Sequence, residues 1–412
     1  MCADLASLRA FSRARPVALV GAALVAAGLA GCFGGASQSV PAASSPVPAR
    51  GVVIERATGS VQLVEDQQHR SLARVEGLGD LSHAAVVFSR DARYAYVFGR
   101  DGGLSKLDLT ERRLVGRTTQ AGNSIGGAIT KDGQVLAVAN YEPGGVKLFD
   151  AQTLEFLSEI PSTYGSDGKR AKVVGIVDAP GQRIVFSGFE ADAIWVADVA
   201  DPRRPKVRRY DGVGKQPYDA LITPDGRYYI AGLFGEDGLA LLDLDRPDAP
   251  PRRIVDGYGR GTEPLPVYKM PHLRGWAMAG DYAFLPAVGR HEVLVVDRRD
   301  WRKVASIPVH GQPVFVMARP DGQQVWVNFA LPLNDKVQVI DRRSLQVVQT
   351  LSPGRAVMHM EFTARGDEVW ISARDDDRVV VYDTGSFARR AELPAKSPSG
   401  IFFPWRAGVV GL

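Results

Sequence analysis

The 412-residue sequence predicts an all-β fold: an eight-bladed β-propeller closed by pairing of its N- and C-terminal strands. Three observations predict it. Short apolar lines ending in an acidic residue recur at Glu65, Asp108, Asp150, Asp198, Asp243, Asp297, Asp341 and Asp383. Their spacing runs from 42 residues (Asp108 to Asp150) to 54 (Asp243 to Asp297), around the roughly 40 to 50 of a four-stranded propeller blade. A second marker stands in phase with the first, in turns such as Lys131-Asp132-Gly133, Pro224-Asp225-Gly226, Pro320-Asp321-Gly322 and Arg365-Gly366-Asp367. The ends also complement each other: the unit at 52–76 lacks an inner strand, whereas SPSGIFF at 397–403 is a strand with no blade after it. Joined, they make one composite blade and remove the open sheet edges.

Taken in order, residues 1–31 are not part of that fold. Arg9, Arg13 and Arg15 form a positive n-region, an apolar core from Pro16 is too short to span a bilayer, and Leu29-Ala30-Gly31-Cys32 is a lipobox. Cleavage before Cys32 leaves a lipidated N-terminus, so the expected location is the periplasm on a lipid anchor to the membrane. Phe33, rather than Asp, favours the outer membrane. Residues 32–50, rich in Ser, Ala and Pro, read as a flexible tether. The propeller is expected over 51–412. One complete copy of its repeat lies in 82–108: a strand at 84–88, a turn at 90–92, a strand at 94–98, a glycine turn at 102–103 and a third strand ending in Asp108. No linker-like break follows, because a propeller gains length by repetition.

Composition excludes several functions. The formal charge of +4 includes three Arg and one Asp of the signal, which leaves a mature charge of +2 and no basic patch for nucleic acid. Cys2 leaves with the signal and Cys32 takes lipid, so no intramolecular disulfide is expected. There is no C-x-x-C-H for covalent heme, and no G-x-G-x-x-G opening a helix, so no NAD is expected.

Function must come from residues that depart from the repeat. His83, His272, His310 and His359 fall at or near the starts of inner strands, around the channel mouth, whereas His69 and His291 fall on an outer strand and in a turn. They lack tight H-x-x-x-H spacing, which argues against zinc. Arg100, Arg274 and Arg355 gather at similar places and offer forks of donors for carboxylates. Tyr141, Trp276, Phe315, Phe402 and Trp405 offer flat apolar walls. Such a mouth suits a planar, polycarboxylated, metal-bearing ligand, a heme-like tetrapyrrole.

The stretch SHAAVVFSRDARYAYVFGRDGGLSKLDL resembles the blade of the cytochrome cd1 nitrite reductase propeller that supplies the proximal histidine to heme d1. SPSGIFF is similar to that family's closing strand, and the resemblance covers most of 52–405. It implies heme d1 or its iron-containing precursor as ligand. By the same resemblance His83 is the axial iron ligand, Arg100 a propionate-side arginine, His272 a distal histidine and candidate catalytic group, and Ser399, Gly400 and Phe402 the pocket wall. The chain also departs from the reductase: VFVMARPDG at 314–322 lacks the second distal histidine, and no cytochrome c domain is present. Nitrite reduction is therefore not expected. What the resemblance implies is a part in heme d1 biosynthesis, with two readings open. One is an oxidoreductase that dehydrogenates a side chain of a late precursor, and the other is a non-catalytic periplasmic carrier that delivers heme d1. Implied partners are cytochrome cd1 nitrite reductase, the dihydro-heme d1 dehydrogenase, a c-type cytochrome as electron acceptor, and a second copy in a homodimer.

Overall fold

The acidic residue that ends each apolar line sets a turn. In the computed structural model, which describes residues 50–257 and 276–411, Asp108 accepts the backbone N–H groups of Thr110 and Glu111, both at 2.9 Å. Glu65, Asp150, Asp198, Asp243, Asp297, Asp341 and Asp383 accept N–H groups two or three residues on in the same way. A short carboxylate folded back on its own backbone fixes the turn into the fourth strand. The second marker has its own cause, since Gly133, Gly226, Gly322 and Gly366 hold φ of 74°, 73°, 67° and 72° in the first-to-second strand turns.

Between these turns the chain forms eight four-stranded antiparallel sheets. In the blade foreseen in full, Ala85–Phe88, Tyr94–Phe98, Gly103–Asp108 and Arg113–Thr119 pair in that order. We number this blade II and the composite one I. The first strands form the inner ring, most of them touching the next: Asn123–Ile129 in III, Val173–Ala179 in IV, Pro217–Ile222 in V, Ala277–Ala279 in VI, Pro313–Ala318 in VII and Val357–Phe362 in VIII. Middle strands such as Gly103–Asp108 are buried along their whole length, whereas outer strands such as Gln346–Leu351 alternate. The core therefore lies in layers between blades, as where Ala128 and Ile176 meet Phe186 and Trp195, the two rings stacked at 5.6 Å. The interval between Asp150 and Asp198 is longer because it holds an extra hairpin, Thr163–Tyr164 against Lys169–Arg170.

Closure occurs where the ends predicted it. Gly51–Glu55 pairs antiparallel with Pro398–Phe402, with Val52 opposite Phe402 and Val53 opposite Ile401. Fully buried Glu55 pins the joint, taking bonds from Arg74 Nε at 2.6 Å, Ser60 Oγ and the backbone N–H of Lys396 at 2.8 Å, and Gln62 Nε2 at 2.9 Å.

Beyond the closing strand the chain turns across the far ends of the inner strands. It forms the 3-10 turn Pro404–Gly408. Trp405 Nε1 donates to the Phe362 carbonyl at 2.9 Å and Arg406 pairs with buried Glu361 at 2.8 Å, both in blade VIII. Arg90 of blade II reaches the Ala407 carbonyl and Asp178 of blade IV, and the Gly411 N–H donates to Asp178 at 2.8 Å. This tail covers one face of the propeller. The expected signal at 1–31, Cys32 and the tether to residue 49 lie outside the described residues, as do His272 and Arg274.

Candidate functional site

Three kinds of segment share the face opposite the tail: the starts of first strands, the turns from second to third strands, and the connections between blades. His83 stands two residues before Ala85–Phe88, at the end of the connection from blade I. Asp80 accepts the Ser82 N–H on its side chain and the Arg100 N–H on its carbonyl, each at 2.8 Å. The loop of His83 is thereby tied to the turn of Arg100. Burial, and then the positive charges of Arg100 and Arg56, pull the His83 pKa from 6.5 down to about 4. At pH 7 the imidazole is neutral, the form that gives a lone pair to a metal.

Arg56 is a further residue of this face, beyond those the sequence singles out. It follows Gly51–Glu55 directly and donates its N–H to the Ser397 carbonyl at 3.3 Å. Burial and then repulsion from Arg374 push its pKa below the usual guanidinium value, with Arg100 adding to the repulsion and Asp80 opposing it. Arg56, Arg100 and Arg374 occupy the same turn, after the second strand, in adjacent blades I, II and VIII. Arg374 is itself paired with Asp375 at 2.7 Å and Arg100 is exposed, so it is the partly desolvated Arg56, with Arg100 beside it, that favours an incoming carboxylate.

Other expected residues fall elsewhere. Arg355 is engaged within the chain: its Nε meets Asp376 Oδ1 at 2.7 Å and its Nη2 the Asp375 carbonyl at 2.9 Å. His359 is buried and engaged: its Nδ1 accepts the Ile401 N–H at 3.2 Å, and its ring sits 5.1 Å from Phe315 and 5.5 Å from Phe402. It clasps blade VIII to the closing strand. Phe402 packs in the same core and fills the space a Gly400 side chain would need, at 2.4 Å from the added carbon, while Ser399 is half-buried. His310 lies edge-on to Phe329 at 5.4 Å in blade VII, and His69 bonds Glu368 at 2.8 Å on the outer side. Trp405 belongs to the tail on the opposite face. Trp276 lies over Gly232.

The aromatic wall is built from other residues than most of those expected. Tyr141, near the end of Val135–Glu142 in blade III, shares a hydroxyl hydrogen bond of 2.5 Å with Tyr218 of blade V. Phe189, Tyr218 and Phe234 form a mutual cluster, Phe189 lying 5.6 Å from Tyr218 and 5.7 Å from Phe234, and Tyr218 6.0 Å from Phe234. Each of these residues sits at a strand start or after a second strand, so the aromatic sector shares the face of His83.

Residues 48–407 match the family model described as the cytochrome D1 heme domain. The chain is 60% identical over 386 residues to a protein named NirF of Pseudomonas aeruginosa, covering 93% of this chain and 97% of that one. A NirF of Stutzerimonas stutzeri is 58% identical over 363 residues, 88% of this chain and 93% of that one. Among solved structures, the dihydro-heme d1 dehydrogenase NirN in complex with DHE superposes with a TM-score of 0.76 at 25% identity, covering 90% of this chain and 79% of that one.

Proposed function

Because the chain belongs to the cytochrome D1 heme domain family, and within it to the NirF proteins, we propose that it binds heme d1 or an iron-containing precursor and acts in heme d1 biosynthesis. One observation carries this reading: His83 stands beside Arg56 and Arg100 on the face that the tail leaves open, its imidazole held neutral by burial and by their charge. The residues fit the group. When bound, the tetrapyrrole supplies the iron and the conjugated ring. His83 holds the metal with a lone pair that its surroundings keep free of a proton, and the arginines take the carboxylates. Phe189 and Phe234 offer flat apolar surface to the ring.

The reaction we assign is a late dehydrogenation of a side chain, in which two electrons leave, one to each of two oxidised c-type cytochromes, and two protons leave for solvent. His272 remains the candidate for proton transfer. The resemblance to a dihydro-heme d1 dehydrogenase supports this reading over a pure carrier. Titration of the purified protein with heme d1, followed by absorption, tests the site. His83→Ala should change the bound spectrum and weaken binding at least tenfold, about 1.4 kcal/mol; an unchanged spectrum and affinity would sink the assignment. Conversion of a precursor in the presence of an oxidised c-type cytochrome separates enzyme from carrier.

The lipobox at Cys32 leads us also to propose a lipid-anchored periplasmic protein. Cys32→Ser should move it from the membrane to the soluble fraction, and membrane fractionation unchanged from wild type would mean that Cys32 is not the anchor.

A further inference from the structure

Asp219 is the third residue of the blade V first strand, Pro217–Ile222, next to Tyr218 and near the mouth end. Pairing with Tyr228–Leu233 slips between Pro217 and Ala220, so Tyr218 and Asp219 form a bulge, a device that re-aims side chains. The same slip recurs in blades VII and VIII, where the register puts Phe315 and His359 at the position of Asp219. Those two rings pack on each other at 5.1 Å. Asp219 instead puts a carboxyl there, 6% exposed, with Oδ2 buried and without a hydrogen-bond partner. Leaving a buried polar atom unmatched costs stability, which a residue kept for packing has no reason to do.

Burial drives the Asp219 pKa well above its ordinary value of 3.8. At pH 7 the group is a neutral acid, with one O–H to donate. In the adjacent Tyr141–Tyr218 pair, one hydroxyl donates to the other, and the second retains its own proton to give. Burial raises both tyrosines, Tyr218 to about 12, so both are neutral. The ionisable groups acting on this cluster are Asp219, on Tyr141, Tyr218 and Tyr229, and Glu190, on Tyr141; Glu190 is itself paired with Lys172 of blade IV at 2.7 Å, whose Nζ lies 5.7 Å from the centre of the Phe189 ring. The mouth is thus divided, with uncharged donors in blades III and V and guanidiniums in blades VIII, I and II.

We propose that Asp219, with the Tyr141–Tyr218 pair, forms a second subsite of the mouth that donates hydrogen bonds to an uncharged oxygen, a ring carbonyl, on the edge of the bound tetrapyrrole. This rests on the tetrapyrrole reading above and adds an in-plane orientation. Carboxylates go to the arginine side and the carbonyl-bearing edge to Asp219. The reverse placement buries a carboxylate away from every guanidinium and leaves the donors unmatched, so the two sectors together select the ligand and its orientation.

The test compares heme d1, whose ring carries carbonyl oxygens, with protoheme, which has carboxylates on one edge and hydrocarbon on the other. Asp219→Leu should bind protoheme as wild type does but lower the preference for heme d1 over protoheme by roughly tenfold or more. Asp219→Asn, which keeps an N–H donor, should restore most of that preference. Both should melt no lower than wild type, because they remove a buried unmatched acid. Tyr218→Phe should show a smaller loss in the same ratio, and it serves as the test if Asp219→Leu does not fold. At neutral pH the infrared spectrum of wild type should contain a protonated-carboxyl band absent from Asp219→Asn. An unchanged ligand ratio in Asp219→Leu, no restoration by Asp219→Asn, or no such band would each overturn the subsite. If wild type binds neither heme, it is the tetrapyrrole reading itself that fails.

Discussion

At Arg56 the chain keeps a guanidinium partly out of water beside two others, Arg374 and Arg100. Repulsion of that kind destabilises the ligand-free protein and is relieved when an anion enters. Arg56→Gln should therefore leave the free protein as stable as wild type or more so, while binding heme d1 about 1.5–3 kcal/mol more weakly, as for a lost hydrogen bond to a charged group. Melting temperatures with and without ligand check both halves, and an undiminished ligand-induced shift would remove Arg56 from the site. The segments that carry His83 and Arg100 could be read from the sequence because blade II is continuous in the chain. Arg56 could not. Its blade is split between the chain ends, so the likeness of its turn to that of Arg100 shows only once Pro398–Phe402 supplies the missing strand. Asp219 was hidden for a different reason: P-Y-D-A-L-I reads as an ordinary inner strand, and the bulge that turns its carboxyl from the expected face is not visible in a two-residue alternation.

Among the elements, the closing strand depends most on a single side chain. For Glu55, burial alone would raise the pKa, but the bonds from Arg74, the Lys396 N–H, Ser60 and Gln62 outweigh it and hold it below the usual 4.5. A depressed folded-state pKa means that the unfolded chain takes up the proton first as pH falls. The stability Glu55 contributes is thus present above pH 4.5 and is lost as pH drops below that value towards the folded pKa. Glu55→Gln should cost about 2–3 kcal/mol at pH 7, less than for breaking a fully buried pair, because Arg74 is 41% exposed. Urea denaturation at several pH values should show the gap from wild type closing in acid. A gap independent of pH would mean that packing, not the charge, makes Glu55 matter. That this joint exists was legible in SPSGIFF; that a buried glutamate holds it was not, because its partners come from three separate segments.

For the whole molecule, the C-terminus has two separable jobs, and they belong to opposite faces. Residues 398–402 complete blade I, whereas 404–411 lie across the ends of blades II, IV and VIII, away from His83. A chain ending at Phe403 keeps the closing strand but strips Arg406 from buried Glu361. It should fold, lose about 3–5 kcal/mol of stability, and bind heme d1 with wild-type affinity, as the proposed entry from the His83 face requires. A chain ending at Lys396 also loses the inner strand of blade I and leaves the Gly51–Glu55 edge without its partner. In a ring that edge has no other cover, so the loss spreads to both neighbouring blades, and the product should aggregate on expression. Size-exclusion chromatography of the two truncations, followed by heme titration of whichever is soluble, distinguishes the jobs. A monodisperse chain ending at Lys396 would show that closure does not hold the ring together. A tenfold loss of affinity in the chain ending at Phe403 would mean that the tail face, not the His83 mouth, receives the ligand.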